Sequence, residues 1–246
     1  MPLANALNTL WLASLLAAGI AWTQKGRLPP AKDIRRETWR VPLQKETDAQ
    51  PFSFSYLGRP FDVKPLASYE FWGILVSHND ISSFADIYHD EKAVDTKDVC
   101  VAWGEAAANP EIAKVKFKSG PFTCYFSYPG DVVFQQQHVS NTHLVTSDPQ
   151  VRAKIAGLKA GDQIHAQGWL VSYRPADEPN NWRTSSMTRA DSGPGACEVM
   201  FVKELEVLTP GTPGWYQVWH LALWSLLTLS ILKIASFFMS PPLGTL

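Results

Sequence analysis

Ser140-Asn141-Thr142-His143, with His138 just upstream, is the polar group of this 246-residue chain best suited to chemistry. An imidazole titrates near neutrality, so His143 can serve as a general base or a metal ligand. His138 and His143 do not stand at the i, i+4 spacing that puts two ligands on one helix face, and no neighbouring Cys or acidic residue completes a zinc pattern. Ser and Asn side chains readily hydrogen-bond their own backbone, so the favoured reading is a structural polar turn of Ser140, Asn141 and His143. A second cluster, Tyr88-His89-Asp90-Glu91 with Asp80 and Asp86 upstream, offers oxygen ligands for a divalent ion but lacks the spacing of an EF-hand loop, and reads as a solvated loop.

A third group is a possible binding surface: Trp169, Tyr173 and Trp182 as stacking planes beside Arg183, Arg189 and Asp191. The plainer alternative is an internal Arg–Asp pair pinning a loop, with the aromatics in a core or against lipid headgroups. The three cysteines, Cys100, Cys124 and Cys197, fall in or beside apolar runs. In an oxidising compartment Cys100 and Cys124 can bridge two strands; in a reducing one all three are small buried hydrophobes. None has an adjacent His or basic residue to lower its thiol pKa, so no nucleophile is expected. The chain also carries no nucleophile elbow, no phosphate-binding Gly-rich loop and no zinc-protease helix. The expectation is therefore no catalytic residue, no cofactor and no metal.

Two apolar stretches frame these groups. Residues 215–239 are long enough to cross a hydrocarbon core of ~30 Å, which takes ~20 apolar residues. Trp215, Tyr216, Trp219 and Trp224 would form an interfacial aromatic belt at one end, and Lys233 would snorkel towards the other. Residues 4–22 read as a second span or an uncleaved signal anchor, because no Lys or Arg precedes them and no convincing small-x-small cleavage site follows. Residues 23–65 read as an extended strap, basic and Pro-rich. Its charges argue for the cytoplasm under the positive-inside rule, whereas Lys233 places both termini inside. Long loops translocate largely regardless of charge, so an extracytoplasmic domain is the reading preferred.

Residues 66–208 form the domain. Aromatic and β-branched runs predict strands at 69–76, 99–104, 122–128, 163–173 and 197–208. Between the third and fourth lies one amphipathic helix, with Ser147 or Asp148 as cap, Pro149 in its first turn, Val151, Ile155 and Leu158 on one face, and Gly161 as its stop. The order predicts an all-β domain, β-rich with one helix, folded as a five-stranded OB-like barrel between two transmembrane helices. An SH3-like barrel with an inserted helix or a small β-sandwich fits the same order.

Three motifs, Asp98-Val99-Cys100-Val101-Ala102-Trp103-Gly104, Ser140-Asn141-Thr142-His143-Leu144 and Thr188-Arg189-Ala190-Asp191-Ser192-Gly193-Pro194-Gly195-Ala196-Cys197-Glu198, together with Gly161-Asp162-Gln163-Ile164, resemble a family of bacterial membrane-anchored proteins. That family's middle motif reads S-N-N-H-L-L, from which Thr142 and Val145 depart. The resemblance spans residues 66–208 and implies no activity; it does imply the bacterial inner membrane, with the domain periplasmic. A net charge of −1 gives no general attraction to nucleic acid. The expected function is a non-enzymatic, membrane-anchored accessory or assembly subunit, whose partners are the lipid bilayer and another integral membrane protein or complex. The alternatives are an extracytoplasmic module binding a glycan or similar ligand, and a metal-dependent enzyme using His143 and His89.

Overall fold

The computed structural model describes residues 2–81, 93–120, 123–189 and 195–239. In chain order its elements are α1 (Pro2–Gln24), β1 (Leu43–Lys45), β2 (Phe52–Tyr56), β3 (Arg59–Asn79), β4 (Asp95–Ala102), α2 (Gly104–Ala108), β5 (Lys116–Gly120), β6 (Thr123–Ser127), β7 (Val139–Val145), α3 (Pro149–Gly157), β8 (Gln163–Pro175), β9 (Arg183–Thr184), β10 (Glu198–Thr209) and α4 (Pro213–Met239). The chain divides into a helical unit, residues 1–27 with 212–246, and a β-rich unit of residues 28–211.

In the helical unit α1 and α4 are both long and apolar enough to cross a membrane. They run antiparallel: the Trp11 indole donates to the Ser230 hydroxyl at 3.1 Å, the Ser14 and Ser225 hydroxyls meet at 2.8 Å, and the Trp22 and Trp219 rings lie 5.2 Å apart. Small and hydroxylated residues let helices approach and satisfy one another where lipid offers no hydrogen bonds. Lys233 stands over the Trp11 ring at 5.2 Å, so the facing helix occupies it. Trp219 shares Lys25 with Trp22, at 4.1 and 4.3 Å from the two ring centres. Trp215 and Trp224 stay exposed, and Tyr216 is half-buried.

In the β-rich unit β3 is the spine of a mixed sheet. It pairs antiparallel with β8 from Phe61 to Ile74 and with β4 from Ile74 to Asn79, changing partner along its 21 residues. β4 pairs antiparallel with β7, β7 runs parallel to β10, and β10 pairs antiparallel with β8. Alternation places Tyr69, Phe71, Val99, Val101, Leu144, Ile164, Leu170 and Met200 in one buried apolar cluster, which Val151, Ile155 and Leu158 of the α3 region join. Gly168 lies so close to β10 that an added Cβ would strike the Phe201 carbonyl oxygen, which is why glycine interrupts this strand.

The N-terminal cap of α3 follows the residue pattern, but the helix ends at Gly157 with Leu158 as its C-cap, before the expected stop at Gly161. Asp148 accepts from the amides of Gln150 and Val151 at 2.7 and 3.3 Å, and Pro149 opens the helix. At the other end the buried Lys97 ammonium donates to the carbonyls of Ala156 and Leu158 at 2.8 and 2.7 Å and pairs with Asp80 at 2.8 Å. A cation is placed where a helix leaves its carbonyls unpaired.

Three expectations require correction. Ser140, Asn141 and His143 lie in β7, not in a turn, and β7 takes the third strand's place beside β4. Its core-facing positions are Thr142 and Leu144, and because the opposite face is polar the run reads as a loop. The strand expected at 122–128 becomes β6, which pairs with β5 in a separate two-stranded sheet and is tied to β4 by the Cys100–Cys124 disulfide, Cα atoms 5.8 Å apart. The strap is not merely extended, for β1, β2 and the first residues of β3 lie within 23–65, and α2 adds a second short helix to the domain.

Lys97→Met should destabilise the detergent-solubilised full chain by about 2–4 kcal/mol, because two carbonyls and a carboxylate lose one donor. Asp80→Asn should cost only about 1 kcal/mol, as Asp80 is half exposed to solvent. Burial pushes the Asp80 carboxyl up, but hydrogen bonds from His78 and Lys97 outweigh it and hold it well below the usual carboxylate range. Its stabilisation is therefore complete above the unfolded carboxylate pKa of about 3.9 and drains as pH falls further. Denaturant titrations at about pH 5 and about pH 2.5 should show wild type losing more stability on acidification than Asp80→Asn.

Candidate functional site

The outer faces of β4 and β7 carry the chemistry. With Val99, Val101 and Leu144 in the core, the alternate residues Asp98, Cys100, Asn141 and His143 face the other way. Register sets Asp98 directly opposite His143 and Cys100 directly opposite Asn141. The Asp98 carboxylate hydrogen-bonds His143 Nδ1, both side chains being essentially inaccessible to water. β10, parallel to β7, brings Cys197 to the same place: Asn141 Nδ2 donates to Cys197 Sγ at 3.4 Å and lies 3.5 Å from His143 Nε2.

The segment between β8 and β10 closes the arrangement from above. Arg183, on β9, puts Nη2 at 2.7 Å from His143 Nε2 and donates from Nη1 to Asp95 Oδ2 at 2.9 Å. The Tyr173 hydroxyl donates to both Asp95 oxygens, at 2.9 and 3.1 Å. Burial and the Asp95 charge push the Tyr173 phenol well above its ordinary range, so it remains a donor. A buried carboxylate needs such partners, and Asp95 has them on two sides.

Opposing influences act on His143. Burial and the Arg183 charge work against the imidazolium, whereas the Asp98 and Cys197 hydrogen bonds and the Asp98 charge work for it. Hydrogen-bond geometry runs the other way. A guanidinium can only donate, so the 2.7 Å contact requires the lone pair of Nε2. We therefore assign the neutral tautomer with its proton on Nδ1, directed at Asp98.

A cleft of about 1330 Å³ opens over this network, and Asn141, His143, Trp182, Arg183, Arg189 and Cys197 all line it. Among the described residues, the buried atoms Asn141 Oδ1 and Asp98 Oδ2 find no hydrogen-bond partner. The Lys64 ammonium and the Arg174 guanidinium lie over the Trp182 ring at 4.0 and 4.6 Å. Arg189 donates to the Pro42 carbonyl at 3.1 Å and lies over the Trp103 ring at 5.5 Å.

Of the proposed binding surface, Trp182, Arg183 and Arg189 come together in the cleft. Tyr173 is buried beneath it as a donor to Asp95. Trp169 packs instead against Phe52 and Phe201, with Lys203 over its ring, and does not line the cleft. Ser140 turns its hydroxyl to Thr142. Asp191 lies outside the described residues, as do Asp86, Tyr88, His89, Asp90 and Glu91. Arg183 does form an internal ion pair, but with Asp95. Among the described residues no group of three or more His, Cys, Asp and Glu side chains is placed to hold a metal ion.

Sequence reasoning passed over Asp95 and Asp98 as site residues, and weighed Cys197 only as a cysteine with no nucleophilic role. An available signal was Asp98 itself, an acid at the head of the apolar run Val99–Ala102 in a strand whose neighbours are buried. Comparison with known proteins finds no matching family model, no similar curated protein and no similar solved structure.

In selectively ¹⁵N-labelled protein, the His143 ring should show a protonated Nδ1 and a lone pair on Nε2 at neutral pH. Arg183→Gln should move its titration upward, because both the lone-pair requirement and the nearby positive charge are removed. An imidazolium already present in wild type at pH 7 would contradict the tautomer assignment.

Proposed function

We propose that the chain is a membrane-anchored accessory subunit whose β-rich unit is a five-stranded OB-type barrel that holds a partner in the cleft over β4 and β7. The observation that carries this reading is the convergence of Asn141 and His143 from β7, Trp182, Arg183 and Arg189 from the segment between β8 and β10, and Cys197 beside β10 on one cleft. Support for the barrel comes from the pairing order β3-β4-β7-β10-β8, which returns to β3 through the β3–β8 ladder, with α3 between its third and fourth strands. OB domains bind ligands on the face of their second and third strands and with the loop joining their fourth and fifth. β4, β7 and the stretch from β8 to β10 occupy those positions here.

Two further features favour the cellular setting. α1 and α4 are apolar enough to hold the chain in a bilayer, and the Cys100–Cys124 disulfide suits an oxidising compartment. We take the β-rich unit to be periplasmic at a bacterial inner membrane, and its partner to be a segment of another integral membrane protein. Nucleic acid is not the ligand proposed, since Arg183 is already paired to Asp95 and the chain has no excess of positive charge.

A photo-crosslinking side chain at position 182 should yield a discrete adduct with a membrane protein in intact cells. The same group at Leu57, an exposed turn residue, should not. Equal labelling from both positions, or none from 182, would count against the cleft as the docking site. Sidedness is tested by Leu57→Cys in a Cys197→Ser background, which a membrane-impermeant maleimide should label in spheroplasts before lysis.

A further inference from the structure

Cys197 is the cysteine that stands outside the Cys100–Cys124 disulfide. It is half-buried and lines the cleft, open to a molecule that enters there. The groups that activate thiols surround it. Asn141 Nδ2 donates to Sγ at 3.4 Å and lies 3.5 Å from His143 Nε2, so one amide group stands beside both the thiol and the imidazole. That ring is oriented by Asp98 on its far side and faces the Arg183 guanidinium at 2.7 Å. A hydrogen-bond donor, a base and a guanidinium thus stand around the sulfur, the set of groups that a thiol nucleophile uses. A second observation points to a ligand: Asn141 lines the cleft, is only 7% exposed, and its Oδ1 has no partner among the described residues. Docking alone leaves this thiol without a role.

We propose that Cys197 is a thiol nucleophile that captures a disulfide-bearing molecule in the cleft by thiol–disulfide exchange, with His143 as its base and Asp98 as the residue that positions His143. This goes beyond the docking reading and does not depend on which partner docks. Arg183 turns Nη2 away from His143 Nε2 while Nη1 stays on Asp95. Nε2 then accepts the Cys197 proton, and the thiolate attacks one sulfur of the incoming disulfide. A new S–S bond forms to Cys197 as the incoming S–S bond breaks, and the departing thiolate takes the proton from His143. The incoming disulfide is the oxidant, so no further electron acceptor is required. A disulfide fits this site better than an acyl group, because exchange builds no oxyanion that needs its own donors.

The test uses the full chain in detergent, with oxidised glutathione as the probe, and locates the mixed disulfide by mass spectrometry of peptides. Native Cys197 should react at about pH 7 at least ~10-fold faster than the same thiol in the denatured chain, and Cys197→Ser should give no adduct. A native rate at or below the denatured rate, or adducts on Cys100 or Cys124 alone, would overturn the proposal even if every His143 variant failed to fold. Asp98→Asn separates positioning from structural damage. It should slow exchange with glutathione by roughly 100-fold, but slow exchange with an aromatic disulfide far less, because an aromatic thiolate leaves without needing a proton. Equal slowing with both probes would remove Asp98 and His143 from the chemistry.

Discussion

The pairing of Asp98 with His143 is the interaction on which the rest of the site depends. Both side chains are shut off from water, and a carboxylate so placed must be hydrogen-bonded or it destabilises the fold. The partner is supplied by register, since Asp98 on β4 faces His143 on β7. A slip of one residue would turn both to the core and bring Val99 and Leu144 out. One cross-strand pair thus links the apolar interior to the polar outer face. With Nδ1 committed to Asp98, Nε2 points to Arg183, and Arg183 in turn reaches Asp95. The segment after β8 is held over the sheet by that chain of contacts, and the cleft lies beneath it.

Elements with strong local signals were legible from the residues alone. α3 declares itself through Asp148, Pro149 and the Val151/Ile155/Leu158 face, and the two apolar helices through length and composition. β7 was hidden for a physical reason. Its outward residues Asn141 and His143 meet neither solvent nor core but a buried polar network, so the run Ser-Asn-Thr-His has the composition of a turn while its backbone is a strand. β6 shows the reverse case: Phe, Cys and Tyr look like a sheet strand, yet they serve a two-stranded ribbon clipped to β4 by a disulfide. Residue composition reports what a side chain touches, and in both places it touched something other than the main core.

The candidate site was legible only in part, and spacing explains the division. Trp169 and Tyr173 share a face of β8 but stand four residues apart, roughly 13 Å along an extended chain. That distance is enough to place one against Phe52 and Phe201 and the other against Asp95. Trp182, Arg183 and Arg189 come from an irregular segment whose path no periodicity describes. Their meeting with Asn141 and His143 is a product of tertiary contacts made by Asp95 and Pro42, residues distant in sequence. Cys197 has no charged neighbour in sequence apart from Glu198; its imidazole arrives from β7, which runs parallel alongside.

A network of this kind is poor value as mere scaffolding. Buried ion pairs replaced by apolar residues of similar volume are often as stable or more so, whereas removing one member alone is costly. A β-rich domain selected only for stability would fill the outer face of β4 and β7 with residues like the Ile74, Val76 and Ala102 that cover it further along. Instead the face holds Asp95, Asp98, Asn141 and His143, with Arg183 of β9 over it, and Asn141 Oδ1 has no partner among the described residues. A buried polar atom left without a partner costs stability, which is not what selection for a stable scaffold alone would keep. α1 and α4 are long and apolar enough to cross a membrane; confinement to a bilayer would raise the effective concentration of a partner held in the same bilayer, and a cleft of modest affinity would then suffice for occupancy. Under the docking role proposed above, specificity would lie in the network over β4 and β7, and much of the binding strength would come from the membrane.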